Sequence, residues 1–122
     1  MSDFEDQAMT KLANHLARTY VALAHIAANL PIPVTLPTGD VSNIEAIPAV
    51  RRMMELADDQ PMPEEQQAEL YAICSFWLGA LDLYGMLAMV EFHSSRAHSV
   101  AANLLMAENH MLDLTEWIIE QD

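Results

Sequence analysis

The chain has 122 residues, 52% of them apolar, and carries 18 Asp and Glu against 5 Lys and Arg, a formal charge of −13. That length suits one domain, and the apolar share supplies a core, which excludes disorder by composition. The charge opposes contact with a phosphate backbone or an anionic bilayer, so neither nucleic acid nor a membrane is expected as a partner.

The 6 Pro all fall between positions 31 and 63, which leaves residues 1–30 and 64–122 open to long helices. The first predicted helix runs from Asp3 to Leu30 and opens on a capping box, S-D-F-E, with Ser2 and Glu5 as its two ends. Met9, Leu12, Leu16, Leu23, Ile26 and Leu30 recur at helical steps, so one stripe faces inward. Thr19 interrupts that stripe, and Asn14, Arg18, His25 and Asn29 fall off it. Pro31 ends the helix, because the residue before a proline avoids helical angles.

Residues 31–43, P-I-P-V-T-L-P-T-G-D-V-S-N, predict an extended, proline-containing arm. Its Ile32, Val34, Leu36 and Val41 should lie on a surface, either the chain's own core or a partner's. A short helix follows with Pro48 as its first residue, where a missing N–H costs nothing, and runs to Asp58. Val50, Met53, Met54 and Ala57 point inward, and Ser42 and Glu45 are expected to cap a single turn before it. The stretch D-D-Q-P-M-P at 58–63 breaks the chain again.

Pro63, Glu64 and Glu65 open the third helix, with carboxylates at the positive end of the dipole. Leu70, Cys74, Trp77, Leu81, Tyr84 and Ala88 form one stripe. Ser75, Gly79, Asp82, Met86 and Met89 form a second. A helix apolar nearly all round needs cover on several sides. Residues 70–90 are long enough to cross a bilayer, but Asp82 sits in the middle and the flanks are acidic, so a buried helix is expected instead. Asp82 should then pair with Arg18, Arg51 or Arg52.

The fourth helix begins near Ser94 or Ser95, both suited to an N-cap. Ala97, Val100, Leu104, Ala107, Met111, Leu114 and Ile118 follow at alternating steps of three and four, a coiled-coil spacing, with Trp117 and Ile119 beside them. Neither Gly nor Pro occurs between 86 and 122. Without a break at 93–95 the last two helices would make a rod of about 90 Å that only a second chain could cover. The expected fold is an all-α domain spanning 1–122: a small bundle of about four helices, with a long N-terminal helix, the extended arm, and a C-terminal helical hairpin.

Little chemistry is written into the chain. His93 and His98 are five apart and His15 and His25 are ten apart, so neither pair shares a helix face; His110 and Asp113 make the one His–carboxylate pair at a step of three. No zinc-protease, di-iron, nucleophile-elbow or phosphate-loop motif occurs, and three glycines cannot build a loop-rich active site. No catalytic residue, cofactor or metal is expected. Cys74 is the single cysteine, set in an apolar helix that raises a thiol pKa. With no basic-then-apolar segment at the N-terminus, it points to the cytoplasm.

Two features suit a binding protein. Nine Met occur, and Met53, Met54, Met86, Met89 and Met106 could supply an adaptable surface. The third and fourth helices also carry more apolar surface than one short chain can cover. The expected contact residues, to a partner or a second copy, are Ser75, Gly79, Asp82, Met86 and Met89 on the third helix. On the fourth they are Val100, Leu104, Met111 and Ile118. Two alternatives stand beside this: an acidic mimic of nucleic acid that inhibits a DNA- or RNA-binding enzyme, and a helical-bundle metalloprotein.

The run L-Y-A-I-C-S-F-W-L-G-A-L-D-L-Y-G-M-L-A-M and the following S-S-R-A-H-S-V-A-A-N-L-L cover roughly the C-terminal half of the chain. In these, in size and in acidity, the chain resembles the small helical anti-activators of the QslA type, which disable quorum-sensing transcription factors in pseudomonads. The resemblance implies a homodimer that binds a transcriptional regulator and blocks its dimerisation or DNA binding. It carries no functional residue across.

Overall fold

A computed structural model describes residues 2–39 and 43–121. Among these residues all regular structure is helical. Ser2 opens helix α1, Asp3–Ala28, as its sequence demands: the Glu5 N–H donates to Ser2 Oγ at 3.2 Å, and Asp3, Glu5 and Asp6 place negative charge on the first turn. Every member of the predicted stripe is buried, and so is Thr19. The interruption heals because the Thr19 hydroxyl donates to the His15 carbonyl at 2.8 Å, which hides its one polar group inside the helix. The helix stops two residues short of Leu30, at a cap where the Asn29 N–H donates back to Ile26.

The arm lies on its own chain. Val34 N–H donates to the Ala27 carbonyl at 2.9 Å, Leu36 is buried, and the Tyr20 hydroxyl donates to the Pro37 carbonyl at 2.6 Å. Gln60 pins the arm from the other side. Its amide accepts from Ile32 N–H at 2.9 Å and donates to Ile32 C=O at 2.8 Å, mimicking a sheet pairing with one side chain. Val41 and Ser42, and with Ser42 the expected cap of a turn before α2, lie outside the described residues.

Helix α2, Asn43–Glu55, departs from the expectation at both ends. It starts five residues before Pro48, which stands inside it. The ring removes only the hydrogen bond that would reach Ile44, in a turn exposed enough for water to take that carbonyl. It ends before Asp58 as well, and Ala57–Asp59 form a single 3-10 turn that tucks Ala57 into the core. Val50 and Met53 are buried as expected, with Met54 half-buried.

Helix α3, Glu64–Met89, and helix α4, Ser94–Glu120, form the predicted hairpin. The break falls at residues 90–93, starting three positions before the expected 93–95, and His93 rather than a serine takes the N-cap, without a side-chain bond. Gly79 against Asn103 and Glu69 against His110 set the two helices antiparallel. Helix α1 packs along both. The Trp77 indole N–H donates to the Leu16 carbonyl at 3.2 Å, with the Tyr20 ring 5.2 Å from that of Trp77. Helix α2 covers α3 from another side. Leu23, Leu70, Ile73, Val100, Leu104 and Leu114 fill the centre, each worth about 1.5–3 kcal/mol of burial.

Candidate interaction surface

Among the exposed apolar side chains of the described residues, which also include Val21, Ile32, Ile44, Leu56 and Tyr71, two groups lie on the hairpin. The first is on α4. Leu105, Leu112 and Ile119 are 56%, 71% and 66% exposed. Steps of seven place them in one line along the helix, one position round from the core stripe. The second gathers at the hairpin end, where Met89 and Val90 close α3 and are largely exposed, as is Phe4 in the first turn of α1. Phe4 and Phe92 line one end of a groove of about 920 Å³ between α1 and α4.

The predicted contact residues divide sharply. Ser75, Asp82, Met86 and Met89 lie exposed on α3, as a contact face requires. Gly79 is half-buried, and a Cβ there would stand in ordinary contact with Asn103 Nδ2 at 3.5 Å, so the position faces α4 of its own chain. The α4 half of the expectation is corrected. Val100, Leu104 and Met111 are buried in the chain's own core, and Ile118 is half-buried against it. A heptad stripe says that something covers it, not whose chain does the covering. The stripe that stays open is Leu105–Leu112–Ile119, whose signal was the seven-residue repeat beside the core positions. Of the methionines, Met53 is enclosed and Met86, Met89 and Met106 are exposed.

Asp82 is also corrected. It is exposed, and it makes no ion pair among the described residues, although it shares a shallow depression with Arg51. Water solvates its charge because α3 is open on that side. His–carboxylate contacts tie the helices together instead. His15 Nε2 of α1 hydrogen-bonds the Glu108 carboxylate of α4, and His110 Nδ1 of α4 stands 3.7 Å from Glu69 of α3. The Phe76 ring stacks on His110 at 6.0 Å. Burial raises the Glu69 pKa above the ordinary carboxylate value, the Asp113 carboxylate raises it further, and His110 pulls the other way.

The remaining chemistry is sparse. Among the described residues no three His, Cys, Asp or Glu side chains gather closely enough to hold a metal ion. Cys74 is fully buried, and burial pushes its thiol up to about 12. Helix α3 is long and apolar enough to cross a membrane by length and composition, and it carries part of the exposed face described above. Acidic residues sit in the first turns of α1 and α3, where the helix dipole favours them. Comparison with protein families, with curated proteins and with solved structures finds no match for this chain.

Proposed function

We propose that this chain is a non-catalytic, cytoplasmic binding protein that works as a homodimer and sequesters a protein partner through apolar helix surface. The partner is a transcriptional regulator, kept from dimerising or from reaching DNA, as the resemblance to anti-activators suggests. One observation carries the reading: Leu105, Leu112 and Ile119 form an apolar line along α4 that the chain's own helices leave uncovered. Singly exposed leucines are ordinary, but a row of three along one helix is the pattern of a helix that packs against another. Met86, Met89 and Val90 extend the exposed apolar surface at the end of α3, with two flexible side chains that adapt to a partner's shape.

Light scattering on a size-exclusion column tests the dimer. The wild-type chain should run as a dimer at micromolar concentration, and Leu112→Glu should run as a monomer with unchanged helical content. A wild-type chain that stays monomeric throughout that range removes the main support for the reading.

A further inference from the structure

We infer that the groove between α1 and α4 is a docking site for an acidic amphipathic helix of a partner protein. The inference rests on the protein-binding reading above and adds the chemistry of what is bound.

The groove exists because the facing positions are small. Ala8 on α1 and Ala97 and Ala101 on α4 all line it, with Leu12 buried beside them, and such short side chains leave the space between the N-terminal halves of the two helices unfilled. Its α1 side runs from Phe4 to Arg18, about 21 Å at 1.5 Å per residue, which holds four turns of a docked helix. The floor is apolar and the end is aromatic, the requirement for a helix laid in by its apolar face.

The rim decides the sign of the occupant. Lys11 and Arg18 lie a heptad apart on α1 and are exposed, and His98 is exposed on α4. Two of the chain's five Lys and Arg therefore line this one groove, in a protein of charge −13. Asp6 is the single carboxylate among the lining residues, and Glu108, next to His15, is already held by that histidine. Arg51 and Arg52 also stand exposed, on α2, but among the described residues only here do cations flank an apolar groove. Opposite charge across a rim sets partner choice and orientation more than it sets raw affinity.

Two labelled synthetic peptides of about four turns test this, both with Leu and Phe on one face. One carries Glu on the other face and its sister carries Lys. Fluorescence anisotropy on the full chain should show the Glu peptide binding roughly tenfold tighter, against the pull of the net charge. The double variant Lys11→Glu, Arg18→Glu should abolish that preference, and Ala97→Leu should weaken both peptides by filling the floor. Both rim side chains are exposed, so the double variant should keep its helical content. Tighter binding of the Lys peptide overturns the inference, as does a Glu preference that survives the double variant. Peptide binding lost in Leu112→Glu but kept in the groove variants also overturns it, and leaves the protein-binding reading standing. If neither peptide binds while the wild-type chain still dimerises, only the groove fails; if the chain is also a monomer, both readings fail.

Discussion

Helix α4 makes two seams, and they are built differently. Towards α3 it is closed: Asn103 and His110 stand against Gly79 and Glu69, and Leu104, Ala107, Met111 and Leu114 of the same helix are buried. Towards α1 its N-terminal half carries Ala97 and Ala101, which with Ala8 line a space that stays open as a groove. Farther along, His15 on the groove's wall hydrogen-bonds Glu108 and ties α1 to α4. One helix thus holds the bundle together on one side and leaves a recess on another, where Ala8, Ala97 and Ala101 are too small to fill it. Closed seams read as stability and open ones as places for a guest.

The largest effect should come from the closed seam. Leu104→Ala should cost about 2–5 kcal/mol, read as a lower denaturation midpoint in urea. A cost well under 1 kcal/mol would show that the α3–α4 seam collapses easily and would erase the contrast. Next comes a matched pair of identical changes. Ala107→Leu should destabilise by about 1–3 kcal/mol, because no space receives the added carbons. Ala97→Leu, made in the open seam, should be neutral or stabilise by up to about 1 kcal/mol. Equal costs at the two positions would break the comparison outright.

The smallest effect sharpens the closed seam through pH. The Glu69 pKa is raised in the fold, so its contribution to stability is fully present below its ordinary value of 4.5 and is lost as pH rises through the folded value. Glu69→Gln should remove that loss. Its melting temperature relative to wild type should therefore rise between pH 4.5 and neutrality, and a difference that falls with pH would contradict the burial of this carboxylate.

The elements themselves were legible in the sequence, because amphipathic spacing and proline punctuation act locally. The Met9-to-Leu30 stripe, the capping serine and the start of α4 at Ser94 all follow from such local rules. The error at Pro48 has the same scale: proline is tolerated early in a helix, and its position alone does not separate the first residue from the sixth. The candidate site was half legible. Met86 and Met89 stand out where expected, but Val100, Leu104 and Met111 went to the core, since periodicity reports burial without naming the chain that provides it. The pairing of His15 with Glu108 spans 93 positions, and no local pattern encodes it. The groove was equally invisible, because it arises from alanines on two helices that meet only in the folded chain.

Cys74 gives the molecule a clock. It is the single thiol in the chain, sealed inside α3 and held protonated by its surroundings. An alkylating reagent in native buffer can reach it only when α3 parts from its neighbours, so each labelled molecule records one excursion to an opened state. The rate of labelling times breathing without any inserted reporter, and a tightly bound guest would slow it by holding the closed form.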